Sequence, residues 1–100
     1  MAARGQYAAA ETEFRGILAA QLKVLGPEHL RTLWTRRQIA LSMAAQGDYA
    51  GAEKELRDVL ERRQRTLPDH PDTLAVRHDL ARIMAVQGNA SGARAELHDT

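Results

Sequence analysis

The sequence contains no cysteine, and that absence removes several classes of protein at once. There is no disulfide framework, thiol nucleophile, cysteine-ligated zinc or iron–sulfur cluster, so stability has to come from apolar packing. Aromatic residues are almost as scarce, with one Trp, one Phe and two Tyr in 100 residues. Neither sign of charge dominates, because 14 Lys+Arg stand against 13 Asp+Glu; dedicated nucleic-acid and membrane-surface binders usually carry a marked basic excess. No run approaches the roughly 18 apolar residues that span a bilayer, and the segment opening Met1-Ala2-Ala3-Arg4-Gly5 does not lead into a signal-peptide core. The expectation is a small cytoplasmic protein with no membrane segment.

What is present favours helix. Alanine and leucine are plentiful beside arginine, glutamate and glutamine, which lose little on entering a helix, and β-branched residues are few. The chain also repeats itself. Gly5-Gln6-Tyr7-Ala8-Ala9-Ala10-Glu11 returns as Gly47-Asp48-Tyr49-Ala50-Gly51-Ala52-Glu53, and more faintly as Gly88-Asn89-Ala90-Ser91-Gly92-Ala93-Arg94, a period of about 42 residues. Leu25, Pro27, His29, Thr32 and Leu33 reappear as Leu67, Pro68, His70, Thr73 and Leu74, with Gly26 as the one extra residue of the first copy.

Each unit reads as two helices. The first type, Tyr7 to about Val24, carries Tyr7, Ala10, Phe14, Ile17, Leu18 and Leu22 as an apolar stripe at helical spacing. Its copy, Tyr49 to about Thr66, repeats the stripe as Tyr49, Ala52, Leu56, Val59 and Leu60. The second type, about Leu30 to Gln46, has Leu33, Ile39, Ala40 and Met43, copied over about Pro71 to Gln87 as Leu74, Leu80, Ala81 and Met84. Gly47 and Gly88 stand where a left-handed residue ends a helix, and Asp48 and Asn89 follow as caps. Pro71 fits the first turn of its helix, with Asp69 or His70 before it as the cap. Tight turns of this kind force antiparallel packing.

The pattern Gln-Gly-Asp-Tyr-x-x-Ala, followed by Leu-(Gly)-Pro-Asp/Glu-His-Pro-x-Thr-Leu and a Leu-Ala pair, resembles the kinesin-light-chain-like tetratricopeptide repeat of bacterial type. The resemblance covers nearly the whole chain. It implies an all-α fold in which antiparallel helix pairs stack as a right-handed α-solenoid of about five helices: an outer helix over 6–25, a repeat over 30–66 and a partial repeat over 71–100. In that phase the first helix lacks an inner partner and the last stops early, so the chain reads as a slice of a longer array. Bare end helices then predict self-association through Phe14, Leu18 and Leu97.

The resemblance further implies a non-catalytic module that binds a protein or peptide, without a cofactor, in the groove lined by its inner helices. Carrying the family's groove positions over one by one gives Trp34, Arg37, Gln38 and Leu41 in the first repeat and Ala75, His78, Asp79 and Arg82 in the second. These positions also fall off the core stripes. The mechanism expected is apolar contact from Trp34 and Leu41, ion pairing of Arg37 and Arg82 with acidic groups of the ligand, and hydrogen bonds from Gln38, His78 and Asp79. Members of the family commonly have asparagine where Gln38 and Asp79 stand, and an ionised Asp79 only accepts hydrogen bonds. Trp34 reads either as an anchor for a partner or as packing between helices. The competing reading is a structural spacer or autoinhibitory segment of a larger signalling protein.

Other candidates for chemistry read as structural. His29 and His70 occupy equivalent loop positions, at least about 10 Å apart for stacked helices, too far to share a zinc ion. Neither His78 nor His98 has a ligand-type residue at i+3 or i+4, so no metal site is expected. Glu11, Glu53, Asp58 and Glu61 each have an arginine four residues on, a spacing that stabilises exposed helices by about 0.2–0.5 kcal/mol per pair. No nucleophile elbow, P-loop, dinucleotide fingerprint or HExxH is present, so no enzyme is expected. Arg62-Arg63-Gln64-Arg65 is the one basic run, a weaker candidate for nucleic acid, with Asp58 and Glu61 close by to neutralise it.

Overall fold

The computed structural model describes residues 2–88, with side chains from Gly5 onward. Four α-helices follow one another: α1 (Ala2–Val24), α2 (Leu30–Ala45), α3 (Tyr49–Thr66) and α4 (Pro71–Val86). There is no strand among the described residues. Each helix packs on the next, α1 on α2, α2 on α3 and α3 on α4. The fold is an all-α stack of helix pairs, as the repeat predicts. The expected fifth helix from Asn89 onward, Leu97 included, lies outside the described residues.

Local chemistry sets the helix ends. After α2, Gly47 takes φ +95°, its N–H bonds the Ala44 carbonyl at 2.9 Å, and the Asp48 N–H bonds the Met43 carbonyl at 2.9 Å. This is the paired closure of a helix that ends on a left-handed glycine. Asp48 then opens α3 by accepting from the Gly51 N–H at 3.0 Å. Gly88, at φ +82°, ends α4 in the same way as far as its own bond goes, its N–H reaching the Ala85 carbonyl at 3.0 Å. The cap of α4, open between Asp69 and His70, is His70, whose Nδ1 accepts from the Asp72 N–H at 3.0 Å; its equivalent His29 caps α2, with Nδ1 accepting from the Arg31 N–H at 3.1 Å.

Three expectations are corrected. The first helix starts earlier than the 6–25 expected: α1 runs from Ala2 through Gly5, because Gln6 stands where Asp48 supplies a cap and cannot make the short-armed bond that starts a new helix there. Tyr7, Ile17 and Leu22 are exposed although they sit on the stripe expected to be buried, since α1 has only α2 as a main neighbour, whereas α3 has both α2 and α4. Leu74 is 53% exposed while its repeat equivalent Leu33 is fully buried. Among the described helices α2 has α1 and α3 on its flanks, but α4 has α3 alone. The core is therefore centred on α3, where Ala52, Leu56, Val59 and Leu60 meet Leu33 and Ala40 of α2 and Val76, Leu80, Ile83 and Met84 of α4.

Candidate functional site

The inner helices α2 and α4 carry the eight groove positions at equivalent places along their lengths. Between them lies a hollow of about 190 Å³, lined by Leu41 and Ala44 of α2 and by Asp79, Arg82, Ile83 and Val86 of α4. It takes in Leu41, Asp79 and Arg82 from the expected set and leaves Trp34, Arg37, Gln38 and His78 outside its lining. Ala44, Ile83 and Val86 were not expected. Their signal was present, because Asp79, Arg82, Ile83 and Val86 follow i, i+3, i+4, i+7 spacing and Ala44 is one turn beyond Leu41.

Arg37 and Asp79 were expected to face a ligand, one as donor and one as acceptor. They face one another: Arg37 Nε donates to Asp79 Oδ2 at 2.7 Å, with the Arg37 side chain 21% and the Asp79 side chain 12% exposed. Half-buried opposite charges find each other before a ligand arrives. Arg82 is exposed and has no ion pair among the described residues, so it is the cation left at the hollow. Gln38 is half-buried and His78 exposed, and neither side chain makes a hydrogen bond among the described residues.

Trp34 packs between helices, one of the two readings the sequence left open, and keeps part of its surface bare. Its ring meets the Phe14 ring of α1 edge-on, with centroids 6.0 Å apart and planes at 76°, a favourable aromatic geometry. Its remaining surface is 45% exposed. The contact also explains why Phe14 is half-buried rather than bare.

The outer surface is covered with ion pairs. All four expected i, i+4 pairs form: Glu11–Arg15, Glu53–Arg57, Asp58–Arg62 and Glu61–Arg65. A second set joins helices. Arg36 of α2 bonds both Glu55 and Asp58 of α3, and Gln46 and Gln87 donate to Glu11 and Glu53 at 2.8 and 2.7 Å in successive repeats. Hydrogen bonds from Arg15 and then Gln46 hold the Glu11 carboxyl below its usual range, and Arg57 and Gln87 do the same for Glu53. Arg36, followed by Arg62, lowers Asp58. Burial pulls Arg36 down, but its bonds to Asp58 and Glu55 outweigh that and hold it above its ordinary value.

The basic run is occupied. Arg62 pairs with Asp58 and Glu28, and Arg65 with Glu61 and Glu28. Arg63 is fully buried, and none of its three guanidinium nitrogens has a hydrogen-bond partner among the described residues. Its nearest counter-charge is Asp72 Oδ2 at 3.8 Å. Burial lowers the Arg63 pKa, Asp72 opposes the shift, and the nearby Arg37 charge adds to it. Among the described residues no three histidines or carboxylates converge as a metal-ligating group, and no helix is long and apolar enough to cross a membrane.

A family model described as tetratricopeptide repeat matches residues 1–65 and again residues 37–97. No curated protein matches the chain.

Proposed function

Because the chain belongs to the tetratricopeptide repeat family, we propose that it is a protein-interaction module in which a peptide or partner helix lies along the hollow between α2 and α4. Repeats of this family generally mediate protein–protein interaction and are typically non-catalytic. The observation that carries the finer reading is the hollow itself, apolar at Leu41, Ala44, Ile83 and Val86 and bordered by Arg82, which has no ion pair among the described residues. At about 190 Å³ it is smaller than the roughly 300 Å³ at which small-molecule pockets begin. It suits one aliphatic side chain of a longer ligand, with Arg82 set to meet a neighbouring carboxylate. Leu41 supplies apolar contact, the exposed part of Trp34 offers a second apolar contact, and Gln38 and His78 offer hydrogen bonds. Arg37 and Asp79 hold the two inner helices in register instead of reaching for the ligand.

The test is selection of a displayed peptide library on the full chain, followed by the same selection on Arg82→Glu and Val86→Asp. Both residues are exposed, and substitutions at such sites usually change stability by less than about 0.5 kcal/mol, so the fold is kept. Peptides held by the wild type and lost by both variants support groove binding. A spacer or autoinhibitory segment predicts no peptide whose capture depends on these residues.

A further inference from the structure

We propose that a hollow between the end of α1 and the start of α2 binds a short aliphatic carboxylate, with its carboxylate held by Arg31 and Gln21 and its hydrocarbon chain laid on Ala20, Val24 and Leu25. These five residues line a cavity of about 250 Å³, none of them shared with the groove between α2 and α4. Comparison of the two repeats explains the cavity. Gln21 and Arg31 stand at the positions of Arg63 and Asp72. In the second repeat the long Arg63 side chain is fully buried and ends 3.8 Å from Asp72 at the start of the next helix, so the chain fills this space with its own cation and sets its own carboxylate beside it. In the first repeat the shorter Gln21 leaves the space open, Ala20 in place of Arg62 widens it, and an arginine replaces the carboxylate.

The opening does not depend on what lies beside α1. On the equivalent side of α3 the neighbour is present, because α2 packs there; yet Thr66, the counterpart of Val24, is still exposed. The hollow therefore follows from the residues that line it, and those residues specify the ligand. Arg31 is exposed and has no ion pair among the described residues. Gln21 Oε1 is buried without a partner, and Gln21 Nε2 makes no hydrogen bond among the described residues. Two unused donors thus border an apolar wall, and none of the lining residues is an acid. Glu28, in the turn between the helices, is already taken by Arg62 and Arg65. In its first turn α2 has no acidic residue, where α4 has Asp72, so the helix dipole adds to the preference for an incoming anion. The volume sets the chain length: about 250 Å³ is roughly eight water-sized groups of about 30 Å³ each, the heavy-atom count of an acid of about six carbons.

Hexanoate is the probe. It is titrated into the full chain at constant ionic strength and followed through backbone amide chemical shifts, with acetate, butyrate, octanoate and hexanol in parallel. Saturable shifts are expected at the end of α1 and in the first turn of α2, with none around Arg82, which separates this site from the groove. Affinity is expected to rise by up to about fourfold per methylene from acetate to hexanoate and to level off at octanoate, whose tail projects beyond the hollow. Arg31→Gln is expected to weaken hexanoate about two- to fivefold, the range for an exposed ion pair, and Ala20→Leu, which fills the hollow, to abolish saturation. Both residues are exposed, and the ligand series reads the site even without the variants. Absence of saturable shifts with hexanoate overturns the proposal. Acetate binding as tightly as hexanoate also overturns it, leaving simple ion pairing with Arg31, and hexanol binding as tightly overturns it by removing the role of the carboxylate. So does hexanoate binding that survives Ala20→Leu unchanged.

Discussion

Arg37 on α2 and Asp79 on α4 form a 2.7 Å charged hydrogen bond that joins the two inner helices beside the hollow. These helices belong to neighbouring repeats and α3 packs on both, so the bond is a direct brace between them. The partial burial of both side chains removes some of the water that would screen the pair. A double-mutant cycle of Arg37→Ala and Asp79→Ala is expected to give a coupling energy of about 1 kcal/mol, between the values for exposed pairs and for hydrogen bonds to buried charges. Urea denaturation measures it. Strictly additive single effects would mean that the brace contributes nothing to the repeat interface.

Arg63 leads to a less intuitive expectation. A fully buried guanidinium whose nitrogens have no hydrogen bond among the described residues carries a desolvation cost that one carboxylate at 3.8 Å repays poorly. Replacing a buried ion pair by apolar residues of similar volume is often neutral or stabilising by about 1–4 kcal/mol, and here the partner left behind, Asp72, is 42% exposed and keeps its water. Arg63→Met is therefore expected to raise the denaturation midpoint. A fall of the midpoint would show that the guanidinium is held by interactions stronger than the geometry implies.

The carboxyls of Glu11, Glu53 and Asp58 are all held below their ordinary range. The unfolded chain thus takes up protons at a higher pH than the folded one, and protonation favours unfolding. The stability from these groups is complete above the ordinary carboxylate range near about pH 4 and is lost as pH falls through the lower folded values. A series of melting temperatures from neutral pH into acid is expected to fall on that limb, and Asp58→Asn to flatten it. An acid limb equally steep in the variant would assign the loss to other carboxylates.

Which features were legible in the sequence follows from how local their causes are. The i, i+4 ion pairs, the glycine closures and the Asp48 cap each depend on residues within one turn, and each appears where the spacing put it. Arg36 was not legible because its partners are 19 and 22 residues away and nothing on its own helix announces them. The Arg37–Asp79 pair was named residue by residue as ligand contacts, yet its pairing depends on how far apart two inner helices sit, which periodicity does not specify. The exposure of Ile17 and Leu74 failed for a related reason: an apolar stripe records that a face is built to be covered, and leaves open whether a neighbour covers it.

Leu33 and Leu74 turn that distinction into a measurement, since they are the same residue at the same repeat position in different surroundings. Leu33 is fully buried against the α3-centred core, and Leu74 is 53% exposed. Removing a buried leucine side chain takes away its transfer free energy and leaves a cavity, so Leu33→Ala is expected to cost about 2–5 kcal/mol, as is Leu56→Ala at the centre of α3. Leu74→Ala leaves no enclosed cavity and is expected to cost about 0.5 kcal/mol or less. The comparison is read from urea midpoints at constant slope, which separates a change in stability from a change in the surface exposed on unfolding. Equal costs at the two positions would mean that Leu74 is covered in solution, and that a surface packed against it has to be found.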